Sequence, residues 1–381
     1  NKIIDFNIGA FFSSPELSST APEFDNTGQP TGNFFSGTTK DDRGVSPMPA
    51  FAMVWGKEDS KHTFGASAFG ISGFGVTFPE SMTNPINMPQ PNGFGLIESD
   101  YMLLQVGLAW AYEISETFSI GVQPTFNYAA LELAPNPTAD PGAPSSYPEY
   151  PISDKASALG FGAQFGVFYN SPGGIKLGAS YKTAQSFGDL EFKNTFGSDG
   201  SVASENAFNM DYPAILSFGV GYSKGDVDFA MDYRYVDYEN TDGFAESGWT
   251  DTFSVAGFGW KNMSILSVGL QYKGIEKLPL RFGYTYSSNP IDEELAFFST
   301  PATAVIKNAF QFGFSYPLTD NLMLNGVYHY GTSDGKTEGP IYNPAFIPMD
   351  NNLGAIPGSK VGYDMTTSMV MVGVSYTFAK K

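Results

Sequence analysis

Residues 368–378 read SMVMVGVSYTF, and in this segment every second side chain is large and apolar. The large series is Val370, Val372, Val374, Tyr376 and Phe378, and the residues between them are Met371, Gly373, Ser375 and Thr377. Successive side chains of a β-strand point to opposite faces, so a period of two residues indicates a strand. The segment therefore predicts a strand with one bulky apolar face and one face that is mostly small or polar.

The same alternation recurs along the chain, as in residues 216–222 (LSFGVGY), 266–272 (LSVGLQY) and 310–316 (FQFGFSY). In a soluble β-sandwich the bulky face fills a core and the opposite face is charged and solvated. Here the second face is mostly Gly, Ser, Ala, Asn and Gln, which suits the wetted lumen of a transmembrane barrel whose bulky face meets lipid. Tyr, Phe or Trp often ends the apolar series, as expected at a lipid–water boundary.

Fourteen candidate strands follow from this pattern. They cover residues 3–12, 47–55, 61–78, 100–112, 117–131, 155–169, 174–190, 208–222, 226–238, 263–272, 278–287, 306–316, 321–331 and 366–378. Short turns alternate strictly with long connections rich in Pro, Gly and Asn, which is typical of periplasmic turns and extracellular loops. The sequence therefore predicts an all-β fold, a transmembrane antiparallel β-barrel of about fourteen strands. It would form a single domain over residues 1–381 in the bacterial outer membrane, with both chain ends on the periplasmic side.

The composition agrees with this class and excludes others. The 381 residues include 43 Gly, 34 Phe and 21 Tyr but no Cys, and only 15% are charged. No segment has the run of about 20 apolar residues that a transmembrane helix needs, and no signal peptide precedes the first strand, so we expect a processed or truncated chain. The net charge of −19 argues against a nucleic-acid partner. The acidic loops are interpreted as solvated, with a divalent-cation site as the alternative.

No arrangement of residues predicts an enzyme, a cofactor or a metal centre, because the chain has no Cys and only two His, His62 and His329. The alternation instead directs a few charged or titratable side chains into the lumen, among them Lys182, Arg281, Lys307 and His329. Facing lipid at mid-depth, an Arg or Lys would cost roughly 2 to 4 kcal/mol. Two interpretations stay open: internal salt bridges, or contact between a cation and the anionic head group of a ligand.

The third candidate strand departs from regular alternation. Its apolar residues change phase at Phe69 and again before Phe74, within a run that contains Gly70, Gly73 and Gly75. Such changes predict a bulge or a break in the ladder, since glycine tolerates sharp departures of the backbone. One interpretation is a bulge that only adjusts barrel curvature. The other is an interrupted wall, with Phe69 and Phe74 at its rim in contact with an apolar ligand.

Several segments resemble the FadL family of outer-membrane channels for long-chain fatty acids and aromatic hydrocarbons. The resemblance rests on LGASYK at 177–182, GWKN at 259–262, SVGLQY at 267–272 and LRFGYTYSSNP at 280–290, and TPATAV at 300–305 is similar to a loop of the hydrocarbon branch. It implies a monomeric barrel with an apolar pocket in the lumen and a kinked third strand that opens laterally. Family members also carry an N-terminal hatch with an Asn-Pro-Ala motif, and this sequence shows no such segment, so gating by a hatch stays open.

The hypothesis for function is passive uptake of a hydrophobic small molecule, either a long-chain fatty acid or a hydrocarbon, with a side exit at the third strand. The expected surroundings are outer-membrane lipid and lipopolysaccharide. The alternative is a structural or interaction role, in which the long loops bind another membrane protein.

Overall fold

The computed structural model describes residues 2–25, 30–90, 92–141, 149–350 and 353–378. The strands are β1 (Lys2–Phe24), β2 (Pro30–Lys40), β3 (Val45–Gly56), β4 (His62–Phe78), β5 (Ile97–Ser115), β6 (Phe118–Ala134), β7 (Ile152–Ser153), β8 (Ala156–Asn170), β9 (Ile175–Lys182), β10 (Ser186–Phe187), β11 (Leu190–Phe192), β12 (Asn194–Thr195), β13 (Asn206–Phe208), β14 (Ala214–Lys224), β15 (Val227–Asp237), β16 (Met263–Tyr272), β17 (Leu280–Ser287), β18 (Asn308–Pro317), β19 (Leu322–Thr332), β20 (Thr337–Gly339) and β21 (Lys360–Thr377). The helical segments are three 3₁₀ helices, Pro85–Asn87, Glu293–Ser299 and Pro344–Phe346, and α1, Ile347–Asp350. In the described ranges, no helix is long and apolar enough to cross a membrane.

Fourteen of these strands form one closed antiparallel barrel. Their order around the wall is β1, β3, β4, β5, β6, β8, β9, β14, β15, β16, β17, β18, β19 and β21, and β21 pairs again with β1. The closing ladder runs through eighteen residue pairs, from Ile3 with Thr377 to Thr20 with Lys360. Closure satisfies the backbone groups that an open sheet edge would expose to lipid.

The connections confirm the predicted alternation of short turns and long loops. Short turns join β3 to β4, β5 to β6, β8 to β9, β14 to β15, β16 to β17 and β18 to β19. The turn after β14 has two residues, and its Gly225 takes a φ of +58°, which suits glycine in a tight hairpin. Lys2 and Phe378 lie at the same end as these turns, where the Phe378 N–H donates to the Lys2 carbonyl at 2.9 Å. In outer-membrane barrels this short-turn end is periplasmic and the long-loop end is extracellular.

Some boundaries differ from the prediction. Residues 13–46 are expected from the sequence to be a loop, but β1 continues to Phe24 and pairs with β2 in a long hairpin. Ladder pairing on both edges of β1, with β2 and β21, stabilises a segment whose side chains do not alternate. The strand expected over residues 174–190 ends at Lys182, and β10 then resumes pairing with β8. The interruption lets Gln185 turn its side chain into the interior, where it is fully buried.

The side chains divide between the two faces of the wall as the alternation predicts. Phe310, Val370 and Val372 point outward, with 52%, 50% and 48% of their surface exposed. On the opposite face, Ser315 Oγ donates to Asn325 Oδ1 at 2.6 Å, and Asn325 Nδ2 donates to Ser375 Oγ at 2.9 Å. The outer face is therefore apolar and the inner wall polar, which is the arrangement of strands that cross lipid.

The long loops fold back into the barrel. Buried loop residues such as Phe258, Phe297 and Val305 join inward-facing residues of β4 and β5, such as Phe78 and Leu103, in one hydrophobic core. This core occupies the long-loop half of the interior. The loops therefore determine what that half of the lumen offers to a ligand.

Candidate functional site in the barrel lumen

The long-loop half of the lumen is lined by aromatic side chains from the loops. Phe244, Phe258 and Trp260 pack ring against ring, with centroids 4.9 to 5.7 Å apart. Phe258 also meets Phe74, an inward-facing residue of β4, at 5.9 Å between ring centroids. We call this layer the upper core and define it by Phe244, Phe258, Trp260, Phe297 and Phe298, all of them buried. It forms an apolar, aromatic layer that is packed inside the barrel.

A buried polar network lies directly below the upper core. Gln105 Nε2 donates to Asn127 Oδ1 at 2.8 Å, and Asn127 Nδ2 donates to Gln185 Oε1 at 2.9 Å. Thr125 Oγ1 donates to the same Gln185 oxygen. Lys182 Nζ donates to Gln105 Oε1 at 3.0 Å. We call these five residues the polar floor; they lie on β5, on β6 and at or just after the end of β9, on one side of the barrel.

Below the polar floor the lumen is open and its wall is small or polar. Two adjoining cavities of about 620 and 490 Å³ lie here. Both are lined by Lys176, Gly221 and Ala230. Other inward-facing residues around them include Gln123, Gln164, Gly178, Ser180, Ser217, Gly219, Asp232, Gly269 and Gly283. The glycines and serines keep this half of the barrel wide.

Hydrogen bonds link six consecutive strands around the short-turn half of the wall. Asp228 accepts from Gln271 at 2.7 Å and from Lys273 at 3.0 Å. Gln271 accepts from Arg281 Nε at 2.6 Å, and Arg281 Nη1 donates to Ser315 Oγ at 2.8 Å. The chain continues through the bonds from Ser315 to Asn325 and Ser375 described above. We call Asp228, Gln271, Arg281, Ser315, Asn325 and Ser375 the polar belt. It gives the inner wall from β15 to β21 a continuous band of hydrogen-bonded polar groups.

The wall is interrupted between β3 and β4. Both strands are fully described, and their ladder stops at the pair of Ala50 with Phe69. Beyond this pair β4 stays paired with β5, with a bulge between Gly70 and Ser72. Contact across the interruption resumes where the Asp42 N–H donates to the Thr77 carbonyl at 2.8 Å.

This interruption extends over several residues of both strands. Residues 43–49 on one side and 70–76 on the other lack ladder partners across it. Seven residues of strand correspond to roughly 23 Å. We call this stretch the wall gap. The departure from regular pairing that the glycine run predicts is confirmed as the bulge after Gly70.

Apolar side chains border the inner side of the wall gap. Phe69 faces inward, since it lies opposite Gln105 of the polar floor. Phe74 packs on Tyr101 at 4.8 Å between ring centroids and reaches Phe258 of the upper core. Ile71, at the bulge, also packs against the hydrophobic core. The apolar surface of the upper core therefore continues to the edge of the wall gap.

Two prolines of β3, which the alternation of apolar residues does not single out, explain the interruption. Pro47 and Pro49 pair with Ala10 and Ile8 in an unbroken ladder with β1. Proline has no N–H to donate to a ladder. Alternate residues of a strand direct their backbone groups to the same neighbour, so both missing donors fall on the β4 side. A Pro-X-Pro segment in the strand before a glycine-rich strand was the available signal.

The four side chains that the sequence predicts to face the lumen lie at different positions along the barrel axis. Lys182 belongs to the polar floor and touches the upper half, whereas Arg281 belongs to the polar belt. His329 lies on the inner wall, 3.3 Å from Gln311. Lys307 immediately precedes β18 at the long-loop end. Of these four side chains, Lys182 makes a ring contact, with its Nζ 5.5 Å from the centre of the Tyr212 ring.

The residues selected on the third strand stay together at the wall gap. Phe69 and Phe74 face the lumen, as described above. Gly70, Gly73 and Gly75 lie on the opposite face, where their β5 neighbours in the ladder are Leu104, Met102 and Asp100. For the acidic loops, no group of three Asp, Glu or His within the described ranges is arranged to hold a metal ion.

Comparison with known proteins places these features in a family. Residues 12–379 match the family described as "Outer membrane protein transport protein (OMPP1/FadL/TodX)". No curated protein matches the sequence. The match covers nearly the whole barrel, including the wall gap and the upper core.

Solved structures share the fold at low sequence identity. The toluene transporter TodX of Pseudomonas putida is 16% identical, with a TM-score of 0.68 over 100% of this chain and 91% of its own. A FadL homologue of Pseudomonas aeruginosa is 12% identical, with a TM-score of 0.74 over 99% and 90%. The toluene transporter TbuX of Ralstonia pickettii is 15% identical, with a TM-score of 0.64 over 99% and 90%. These likenesses establish the fourteen-stranded barrel fold.

Proposed function

This chain belongs to the FadL/TodX family of outer membrane transport proteins, and from that premise we propose how it carries hydrophobic molecules. The solute enters at the long-loop end, rests against the upper core, and leaves sideways through the wall gap into the membrane. The barrel acts as a single chain in outer-membrane lipid and lipopolysaccharide, without a cofactor. The transport is passive, driven by the concentration of the solute.

The observation that carries the proposal is the contrast between the two halves of the lumen. An aromatic solute the size of a Phe side chain gains on the order of 4 kcal/mol when about 150 Å² of its surface is buried in an apolar site. The polar floor and the polar belt offer no such gain. Passing them would bring an apolar solute back into contact with water and with hydrogen-bonded polar groups.

The wall gap is the route that avoids this cost. Phe69, Ile71 and Phe74 carry the apolar surface from the upper core to the gap, as described above. Outside the gap, the lipid-facing wall is also apolar, with Met102 and Leu104 of β5 exposed on that side. A solute that moves sideways therefore stays in apolar surroundings from the upper core to the lipid.

We assign to Lys182 the role of holding an anionic head group when the solute has one. Its ammonium group lies below the upper core and 5.5 Å from the centre of the Tyr212 ring. The ion pairs formed within the described ranges do not include Lys182. Its only strong partner here is the neutral Gln105, so a carboxylate would gain a charge-assisted hydrogen bond. Arg281 and His329 are bonded instead to neutral side chains of the inner wall, Gln271, Ser315 and Gln311.

The test is uptake by vesicles that contain the purified barrel. Toluene, a long-chain fatty acid and a small sugar would be supplied outside, and their initial rates of entry compared with those of vesicles without protein. We expect the two hydrophobic solutes to enter faster and the sugar to enter at the background rate. Faster entry of the sugar alone would contradict the proposal, since it would indicate an aqueous path through the polar half.

A further inference from the structure

A single arginine ties the two sides of the wall gap together on the outer face of the barrel. Arg43 belongs to the connection that leads into β3, on one side of the gap. Its Nη1 donates to the Ser99 carbonyl at 2.7 Å and its Nη2 bonds to Asp100 Oδ1 at 2.5 Å, both on β5. To reach β5 from β3, the side chain must pass across β4. Arg43 thus forms a strap over the strand that borders the gap.

Gly75 is the place where this strap crosses β4. A Cβ atom at Gly75 would overlap the Arg43 guanidinium, and it would also lie 2.8 Å from the Ser99 carbonyl oxygen. Gly75 pairs with Asp100 and therefore faces outward, on the same side as the carboxylate that Arg43 reaches. The glycine is required here for close approach of a side chain, a use of glycine that is independent of backbone flexibility.

The far end of the strap is firmly held. Asp100 accepts a second bond from Lys155 at 2.6 Å, and Lys155 also lies 3.6 Å from Glu132. Arg43 is largely covered, with 21% of its side chain exposed. A bidentate guanidinium bonded to a carboxylate and a carbonyl has a more definite geometry than an ordinary surface ion pair.

We propose that Arg43 limits the size of the solute that can use the lateral passage, and that Gly75 provides the space in which the Arg43 side chain crosses β4. This inference rests on the proposed function. The lower end of the wall gap is fixed by the pair of Ala50 with Phe69, and the upper end by the Asp42–Thr77 bond together with the strap. The strap sets how far the two strands can separate at the upper end. It therefore limits the cross-section of the solute that can leave.

The test compares a slender and a bulky apolar solute. Initial uptake of toluene and of pyrene would be measured in vesicles that contain the wild type, Arg43→Ala, Arg43→Gln, Gly75→Ala or the double variant Arg43→Ala/Gly75→Ala. Release of the strap should raise the ratio of pyrene to toluene uptake by about threefold, the scale expected for loss of a partly exposed ion pair. Gly75→Ala should raise the same ratio, because it displaces the guanidinium without removing it.

The controls separate the strap from general effects. Lys360→Ala removes the exposed ion pair of Lys360 on β21 with Glu338 on β20, away from the gap. Gly65→Ala adds a methyl group on the same strand, in the part of β4 that is paired with β3, where the nearest other atoms are 3.5 Å away. Both should leave the uptake ratio unchanged. The heat-dependent mobility shift of folded barrels in gels would verify that each variant is folded.

The outcomes are distinct. An unchanged ratio in Arg43→Ala and Arg43→Gln, with both solutes still carried, would overturn the strap. If the ratio of pyrene to toluene uptake were higher in the double variant than in Arg43→Ala, the role of Gly75 would be overturned, because Gly75 would then act independently of Arg43. If the wild-type barrel carried neither solute, the proposed function would itself be overturned.

Discussion

The two halves of this lumen share the same fourteen strands and differ in almost everything else. In the long-loop half, aromatic side chains from the loops cover the inner wall. In the short-turn half, the inner wall itself is exposed, and its polar side chains bond to one another from strand to strand. The strand pattern therefore builds the barrel, while the loops make one half of its interior apolar. The wall gap opens beside the apolar half, and the wall below it is paired.

The first way to break this contrast is to restore pairing across the wall gap. Replacing Pro47 and Pro49 together with Val supplies two backbone donors on the β4 side of β3. We expect apolar uptake to fall by about tenfold, as the two strands come together over part of the gap. Uptake of labelled toluene by vesicles measures the effect. Pro124→Val on β6, a substitution of the same kind elsewhere in the wall, should leave uptake near the wild-type rate.

Full uptake in the proline variant, with the barrel folded, would mean that solutes do not leave between β3 and β4. An increase in disulfide formation between cysteines placed at Met48 and at Ile71 would show independently whether the two strands approach each other.

A second prediction concerns selection between charged and neutral solutes. Lys182→Met keeps the length of the side chain and removes its charge. Binding of a long-chain fatty acid should weaken by about tenfold, the scale of one charge-assisted hydrogen bond, while binding of a neutral hydrocarbon should change little. Competition with a fluorescent fatty acid would measure both affinities. Arg281→Met is the matched control, and an equal effect of the two substitutions would remove the head-group role of Lys182.

The polar belt should matter for stability more than for binding. Arg281→Met breaks bonds to Gln271 and Ser315, so we expect the free energy of unfolding to fall by about 1 to 2 kcal/mol. Unfolding in urea, followed by tryptophan fluorescence, would measure it. If the variant were as stable as the wild type, hydrogen bonds to water would be sufficient to replace those that Arg281 makes in the polar belt.

The smallest effect is expected at Asp41, at the upper end of the wall gap. Its carboxylate accepts from the Thr77 N–H, and burial raises its pKa above the usual value. Protonation therefore favours the folded state, so the cost of the buried charge is present above the raised pKa and is relieved as pH falls through it. Asp41→Asn should remove this pH dependence and change stability at neutral pH by less than about 1 kcal/mol. Thermal unfolding at pH 7 and pH 5 would compare the two proteins.

Much of the wall could be predicted from the sequence because its signal is local. Alternation within a few residues located all fourteen strands, and the short turns fixed which ends lie together. The extension of β1 to Phe24 could not be read in this way, since Pro15 and Pro22 interrupt the pattern and the pairing comes from β2 and β21. The segment is a strand because of its neighbours rather than its own side chains.

The candidate site was predicted only in part, for a related reason. The phase change at Phe69 indicated the bulge, because a strand cannot change face without one. The strap was invisible, since Arg43 and Asp100 are 57 residues apart and no local pattern links them. The sequence alone does not distinguish Gly75 from the other glycines of its run. The upper core is equally non-local, because loop residues without periodicity meet only after the barrel has formed.

The eighteen-pair ladder between β1 and β21 has a consequence for how the chain folds. It joins the two ends of the sequence, so it encloses the longest loop that this chain can form, and such non-local pairing slows folding. The entropy of loop closure grows only by about 0.6 kcal/mol for each doubling of loop length, whereas a long ladder contributes at every pair. Once the first few pairs have met, the rest should zip together. We therefore expect closure to be late and cooperative, with destabilising substitutions along this ladder slowing the final step of assembly more than the formation of the hairpins before it.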